Sequence, residues 1–352
     1  MHSDSATSMP SRREILKASS LLPAFGIPGS AMYPVAASAH ASLQGARRID
    51  VHHHIMPPQY AAATQDLQEA IALSWTPEQS IADMDRAGIS TAITSVSSPG
   101  VWLGDEAQGR RLARDCNDYA AALREHYPGR FGMFAAIPLP DSEGSLREIE
   151  YAFDVLKADG VALLTSYRDK WLGDPSFDLI MQELDRREAV AYTHPTAPLC
   201  CKDLLPGLVP DTAIKFGTDT TRAIASLKFR GTATRFPRIR WIFSHGGGTV
   251  PFLIERMVIV AQTKSIAANI PQGVEAQLRR FYYDIAQIAY PAPISALTRV
   301  ADPAHILWGT DFPFRHGEEY VQRLPNCGLG VRELRRIERE NALRLFPRLR
   351  ID

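Results

Sequence analysis

The sequence has no net charge and few cysteines. Its 39 basic and 39 acidic residues cancel, and no long run of Lys or Arg is present. Because nucleic acid binding depends on clustered positive charge, DNA and RNA are not expected partners. The four cysteines, Cys116, Cys200, Cys201 and Cys327, lack zinc-site spacing, and the adjacent pair is too constrained for an ordinary disulfide. We interpret them as mostly structural thiols.

The sequence also lacks a regular apolar segment that could cross a membrane. The weakly apolar stretch from about Ala18 to Ala37 is broken by three prolines. It follows Ser11–Lys17 (SRREILK), which resembles the twin-arginine export motif, and precedes Ala39–Ala41, an A-x-A cleavage pattern. We therefore predict a twin-arginine signal peptide over residues 1–41 and export to the periplasm or beyond. The alternative is a disordered tail with a chance arginine pair.

The rest of the chain, residues 42–352, is predicted to be one domain. At 352 residues and 45% hydrophobic, the chain can bury a large core. From Arg48 onward, short apolar runs alternate with amphipathic helical patterns, which is typical of repeated βα units. Eight such runs favour a (β/α)₈ TIM barrel over an open doubly wound sheet, because no glycine-rich dinucleotide motif follows the first run. The predicted strands are Ile49–His53, Thr91–Val96, Phe131–Ile137, Val161–Thr165, Val190–His194, Ile239–Ser244, Phe281–Ile285 and Ile306–Gly309.

Three consecutive histidines, His52–His54, lie at the end of the first predicted strand. Side chains alternate along a strand, so His52 and His54 should point to one side and His53 to the other. A single histidine in a strand is more often a hydrogen-bonded core residue than a ligand. Two imidazoles at i and i+2 favour a divalent metal, since neutral imidazole is the commonest protein ligand for zinc and suits related ions.

Three later strands also end in, or are followed by, a polar residue that precedes Pro or Gly by one or two positions. They are His194 in YTHP, His245 in FSHGGG and Asp311 in GTDFP. The active site of a (β/α)₈ barrel is built at the carboxyl ends of its strands, so these residues should meet His52 and His54 over one mouth. The five side chains together predict a catalytic metal site.

The order H-x-H, H-P, S-H-G-G-G and G-T-D-x-P resembles the amidohydrolase-2 family, the group around aminocarboxymuconate semialdehyde decarboxylase. The resemblance runs from about Arg48 to Phe346. Within the family, the chain is most similar to the 6-methylsalicylate decarboxylase-like branch. The segments that carry this closer likeness are Asp50–Pro58, Ser98–Trp102, Ala113–Tyr119 and Leu163–Tyr167.

The resemblance implies a ligand set for one divalent metal ion, zinc by preference and manganese as the alternative. The implied ligands are His52, His54, His194 and Asp311, with His245 beside them as an acid–base group. Three imidazoles and one carboxylate leave positions open for water or substrate, as a catalytic site requires. The fourth predicted strand has no lysine, the residue that bridges two metals in many amidohydrolases, so one ion is expected.

The resemblance also implies a homodimer. Arg256 matches an arginine that the family lends across the dimer interface to bind substrate, whereas Lys264 replaces the next such arginine. An insertion that carries another substrate-binding arginine is shortened here. These differences favour a small monocarboxylate substrate over a dicarboxylate.

The favoured function is non-oxidative decarboxylation of a small aromatic 2-hydroxy carboxylic acid of the 6-methylsalicylate type. Asp311 would donate a proton to the ring carbon with support from His245. The alternative is a mononuclear metal-dependent hydrolase of a lactone, amide or ester, in which the metal activates water. An inactive barrel that serves as a binding protein is disfavoured, because an unpaired buried aspartate is costly to keep.

Overall fold

Eight parallel strands form the centre of the molecule. The computed structural model describes residues 47–201 and 209–350, so the predicted signal peptide, residues 1–41, lies outside the described residues. The strands, numbered β1 to β8 here, lie side by side in chain order and pair in parallel. This arrangement confirms the predicted (β/α)₈ barrel. The strands are β1 Arg48–His54, β2 Ile89–Ser95, β3 Phe131–Ala136, β4 Gly160–Leu164, β5 Val190–His194, β6 Arg240–Phe243, β7 Tyr282–Asp284 and β8 Ile306–Leu307.

Helices follow the strands and cover the outside of the barrel. The segment Pro77–Ala87, for example, begins with a capping box between Thr76 and Gln79 and ends at Gly88, which adopts the left-handed conformation that favours glycine. None of the helices in the described ranges is long and apolar enough to cross a membrane. The α-helices are Pro58–Thr64, Ala70–Leu73, Pro77–Ala87, Glu106–His126, Ser142–Asp154, Asp178–Arg186, Asp211–Phe229, Thr232–Arg235, Val250–Ala261, Lys264–Ala267, Val274–Arg280, Pro291–Val300, Gly317–Arg323, Val331–Arg335 and Asn341–Leu345.

The C-terminal segment packs on the barrel at the amino ends of its strands. An apolar cluster joins residues of six strands, among them Val51 and Ile242, to Leu345 and Phe346. At the same end Arg48 donates to the carboxylate of Glu338 in a buried ion pair. The cluster fills this part of the interior, which leaves the carboxyl ends of the strands for a site.

Strand β1 is not regular where it approaches the site. Asp50 pairs with Ala92 and His53 pairs with Thr94, so three steps along β1 face two steps along β2. This bulge re-aims the side chains of β1, as bulges beside active sites commonly do.

The seam between β8 and β1 closes the barrel near the bulge. Beyond the end of β8, Asp311 N–H donates to the His52 carbonyl at 2.8 Å, and His54 N–H donates to the Phe312 carbonyl at 2.7 Å. The residues that close the barrel are therefore the predicted metal ligands or their neighbours.

Candidate metal centre

The predicted ligands converge at the carboxyl ends of the strands. His52 Nε2 lies 3.0 Å from Asp311 Oδ1 and 3.1 Å from His54 Nε2, and His54 Nε2 lies 3.1 Å from the same Asp311 oxygen. Potential ligand atoms of His52, His194, His245 and Asp311 all lie within 4.8 Å of one another. All five side chains are buried.

The spacing of these atoms fits a single divalent ion. Ligand atoms that bind one ion at about 2.0–2.2 Å lie on the order of 3 Å apart. The buried Asp311 Oδ1 accepts no hydrogen bond from any described residue, although two ring nitrogens lie 3.0 and 3.1 Å away. A buried carboxylate oxygen without a donor is costly, and a metal ion would satisfy it.

The histidine rings are held so that Nε2 faces the centre. In each of three rings the other nitrogen, Nδ1, has a partner outside the cluster. These contacts are His52 Nδ1 to Asp284 Oδ2 at 2.9 Å, His54 Nδ1 to Ser95 Oγ at 3.2 Å and His194 Nδ1 to the Pro195 carbonyl at 2.9 Å. Metal-binding histidines typically donate their second N–H in this way, which leaves a lone pair on Nε2 for the metal.

Asp284, at the end of β7, is a functional residue that the sequence analysis did not identify. Its side chain is fully buried. Oδ2 accepts from His52 Nδ1, while Oδ1 accepts from the backbone N–H groups of His245 at 2.9 Å and Ala286 at 3.0 Å. One carboxylate therefore orients a ligand and also positions the loop that carries His245. The available signal was an acidic residue at the end of an otherwise apolar predicted strand.

Asp50 supports the opposite side of the cluster. Its carboxylate accepts from His52 N–H at 3.0 Å, from Thr310 N–H at 3.1 Å and from the Thr310 hydroxyl at 2.6 Å. These bonds fix Thr310, the residue before Asp311. Asp311 itself has a φ of 68°, which lies in the left-handed region that favours glycine. Such strained residues persist where surrounding contacts hold them, and they concentrate at functional sites.

The charges in the cluster call for a cation at its centre. Burial lowers the pKa of His52, but the carboxylates of Asp284 and Asp311 outweigh burial and raise that pKa to about 10. Burial lowers the pKa of His54 and takes that of His194 well below its ordinary value. Burial raises the pKa of Asp311, but His52 and the other surrounding imidazoles bring it well below the ordinary value. Two neutral imidazoles and an ionised carboxylate are the forms that bind metal, and an ion would take the place of the His52 proton.

His53 points away from the cluster, as strand alternation predicts. Its Nδ1 lies 3.1 Å from Asp50 Oδ2, its Nε2 lies 2.9 Å from Ser80 Oγ, and its ring stacks on Phe312 at 4.7 Å between centroids. Both ring nitrogens are occupied outside the barrel interior, so His53 is a structural residue.

His245 and Gln287 lie on the free side of Asp311. His245 Nε2 lies 3.4 Å from Asp311 Oδ2, and Gln287 Nε2 donates to the same oxygen. His245 Nδ1 is buried and has no hydrogen-bond partner among the described residues. Gln287, which sequence analysis did not identify, is held by its N–H donating to the Tyr320 hydroxyl at 2.9 Å. Two groups thus contact the Asp311 oxygen that does not face the other ligands.

Arg256 does not reach the centre within one chain. It lies on the helix Val250–Ala261, its side chain is exposed, and it lines neither cavity beside the ligands. The predicted role of Arg256 in substrate binding requires a second subunit and stays a prediction.

Two cavities adjoin the ligand cluster. The larger has a volume of about 490 Å³ and is lined by His194, Gln287 and Asp311 together with Phe216 and Phe314. The smaller, about 290 Å³, also includes His194 in its wall. The larger cavity brings potential ligand and proton-transfer groups to the surface of a space that can hold a small aromatic acid.

Comparison with known proteins identifies similar sequences over most of the chain. The profile of the family described as Amidohydrolase matches residues 49–348. The chain is 36% identical over 325 residues to a 6-methylsalicylic acid decarboxylase of Aspergillus aculeatus, covering 86% of this chain and 97% of that protein. It is also 36% identical over 321 residues to a 6-methylsalicylic acid decarboxylase of Penicillium expansum, with the same coverage of 86% and 97%.

Solved structures share the fold. A dihydroxybenzoic acid decarboxylase from Polaromonas sp. JS666, crystallised with manganese and the inhibitor 2-nitroresorcinol, superposes with a TM-score of 0.77 at 21% identity. The match covers 86% of this chain and 98% of that one.

Proposed function

Because the chain belongs to the amidohydrolase family, we propose that it is a metal-dependent carboxy-lyase acting on a small aromatic 2-hydroxy acid of the 6-methylsalicylate type. The observation that carries this proposal is the 36% identity to two 6-methylsalicylic acid decarboxylases over 97% of their length. The converged ligand set and the adjoining cavity of about 490 Å³ are what such a reaction requires.

His52, His54, His194 and Asp311 would hold one divalent ion, for which we propose zinc, with manganese as the alternative. Three nitrogen ligands and one oxygen suit both ions, and manganese is bound in the Polaromonas enzyme. When bound, the ion would attract the carboxylate and phenolic oxygens of the substrate and hold the ring in a reactive orientation.

The remaining chemistry is a proton transfer, which we assign to Asp311 Oδ2. This oxygen faces His245 and Gln287, which can steady it in either protonation state. Because its pKa is lowered, the protonated Asp311 carboxyl is a stronger acid than an ordinary aspartic acid, which favours protonation of a weakly basic ring carbon. The proton must then arrive with the substrate, and the 2-hydroxyl group of the substrate can supply it.

The reaction balances without a redox cofactor. A proton from Asp311 forms a C–H bond at the ring carbon that bears the carboxylate. The bond between that carbon and the carboxylate then breaks, its electron pair returns to the ring, and carbon dioxide leaves. The phenolic oxygen takes up a proton when product is released, so a carboxylate and one proton yield a phenol and carbon dioxide.

We further propose a homodimer formed through the helix Val250–Ala261. Phe252 and Ile259, which lie two turns apart on one face of this helix, are 67% and 59% exposed, and exposed apolar surface is typical of interfaces. Arg256 lies on the same helix, so it would be delivered to an interface. Export by the twin-arginine route is a separate proposal that rests on the motif at Ser11–Lys17 and the cleavage pattern after it.

The proposed activity is tested with purified chain whose metal content has been measured. Incubation with 6-methylsalicylate should release carbon dioxide and 3-methylphenol in equal amounts, and removal of metal with a chelator should stop the reaction. Hydrolysis of lactones or esters without turnover of any 2-hydroxybenzoate would favour the hydrolase instead. Absence of bound metal and of both activities would point to a binding protein.

A further inference from the structure

The smaller cavity, of about 290 Å³, lies beside the first and shares Leu67, His194 and Ala197 with it. Eight of its nineteen lining residues belong to the segments Ser98–Trp102 and Leu163–Tyr167, which contribute no metal ligand. A cavity that adjoins a ligand and is built from such segments is placed to select substrates.

The walls of this smaller cavity are mainly apolar. Val96, Ile137, Leu163 and Leu164 line it at the ends of β2, β3 and β4, and Val101 lines it from the loop after β2. An apolar space of this kind excludes water readily and favours hydrocarbon over charged groups.

The walls are also fixed in position. Gly100 has a φ of 79°, a backbone conformation that favours glycine, and a Cβ atom there would lie 2.8 Å from Leu164 Cδ1 and displace that side chain. Gly100 N–H donates to the Tyr60 hydroxyl at 3.2 Å. Leu164 N–H donates to the Tyr167 hydroxyl at 2.9 Å. A wall held from both sides should discriminate by size rather than adapt to each substrate.

Polar atoms occur at one part of this wall. The Arg168 guanidinium lies 4.6 Å from the centre of the Trp102 ring, where it covers that side of the cavity. Trp102 Nε1 and Ser166 Oγ are buried and have no hydrogen-bond partner among the described residues. Because each could form a hydrogen bond with a hydroxyl group, the alternative is that the cavity receives a hydroxyl substituent of the substrate ring. A comparison of 6-hydroxy and 6-alkyl substrates distinguishes the two.

We propose that this cavity receives an alkyl substituent of the substrate ring, ortho to the carboxylate and longer than methyl. The inference rests on the proposed function. An apolar protein cavity of about 150 Å³ can hold benzene, so a methyl group would leave most of this 290 Å³ space empty. The 2-hydroxy-6-alkylbenzoates with ethyl or propyl chains are therefore better substrates than 6-methylsalicylate.

The test compares kcat/KM of the metal-loaded enzyme for salicylate and for its 6-methyl, 6-ethyl, 6-propyl and 6-hydroxy derivatives. Each methylene buried in the cavity should raise kcat/KM about fourfold, the ratio that corresponds to about 0.8 kcal/mol per buried CH₂. A higher kcat/KM for the 6-hydroxy than for the 6-ethyl compound, or a maximum at methyl, overturns the proposal. If no member of the series is decarboxylated, the proposed function itself fails.

Two variants locate the effect in this cavity. Ala162→Leu adds bulk to the cavity wall from the middle of β4 and should lower kcat/KM for the 6-propyl compound about tenfold, the scale of an overpacked site, while salicylate stays within about twofold. Leu164→Ala should move the preference toward longer chains. Leu179→Ala, the same substitution at an exposed residue outside the cavity, is the matched control. Equal changes for all substrates in both cavity variants would overturn the assignment.

Discussion

Replacing Asp284 by Asn tests the part of the metal centre that sequence analysis missed. The side chain keeps its shape, and its oxygen can still accept from the N–H groups of His245 and Ala286. In the native protein His52 Nδ1 donates to Asp284 Oδ2 at 2.9 Å. In the variant the amide nitrogen of Asn would take the place of that oxygen and face His52 Nδ1. Since two donors cannot face each other, the His52 proton would move to Nε2, the atom that must bind the metal.

This change of tautomer determines how much metal affinity the variant should lose. Substituting a residue that orients a metal-binding histidine typically weakens metal affinity by about 10–100-fold, or roughly 1.4–2.7 kcal/mol. Asp284 is fully buried and also raises the pKa of His52. We therefore expect a loss near the upper end of this range, with the fold retained because the contacts of the other carboxylate oxygen survive.

Competition with a chelator of known affinity measures the loss, and circular dichroism checks the fold. Asp159→Asn is the matched control, since that buried carboxylate accepts from Met133 N–H and pairs with Arg348, and it belongs to none of the contacts around the metal centre. An unchanged chelator midpoint for Asp284→Asn would refute the assigned role of Asp284. An equal shift in both variants would attribute the loss to general destabilisation.

Four further predictions concern the cluster and the subunit interface. His52→Ala should lose metal and His53→Ala should retain it, as measured by metal analysis of both proteins. Asp311→Asn, reloaded to full occupancy, should turn over about 10²–10⁴-fold more slowly, the usual contribution of a positioned acid, and near-normal kcat would contradict this. His245→Asn should also lower kcat but leave metal content nearly unchanged. Phe252→Asp should convert a dimer to a monomer in light scattering, and an unaltered mass would argue against this interface.

The positions of the ligands could be predicted because they depend on strong local patterns. His194 and Asp311 each follow an apolar run and stand one or two residues before a proline. Such runs predict strands, and the carboxyl ends of the strands meet in a barrel. The lengths of the last strands could not be predicted in the same way. β7 and β8 pair over only a few residues, although the apolar runs Phe281–Ile285 and Ile306–Gly309 continue further, because apolar character reports burial rather than pairing.

Asp284 and Gln287 were missed because their roles depend on contacts distant in sequence. Asp284 meets His52 from 232 positions away, and Gln287 acts through Asp311. A carboxylate in an apolar strand signals a buried partner but does not identify it. Orienting residues of this kind become visible only when the barrel brings separate strands together.

The bulge in β1 changes the side-chain alternation on which the prediction for the three histidines was based. Alternation alone puts His52 and His54 on one side and His53 on the other, as observed, yet it would also put Asp50 on the side of His52. In the structure Asp50 instead shares its side with His53, three residues later, and accepts from its ring. The bulge therefore allows Asp50 to support the cluster from behind.

The metal centre and the closure of the barrel depend on the same few residues. The backbone N–H of Asp311 donates to the His52 carbonyl, while the side chains of these residues approach each other at 3.0 Å. The Thr310 hydroxyl donates to Asp50, which also receives the N–H of His52. Displacement of one ligand would therefore strain the seam between β8 and β1, and loosening of the seam would separate the ligands. Asp311 can keep its left-handed backbone conformation among buried charged groups because the contacts that close the barrel also stabilise this strained residue.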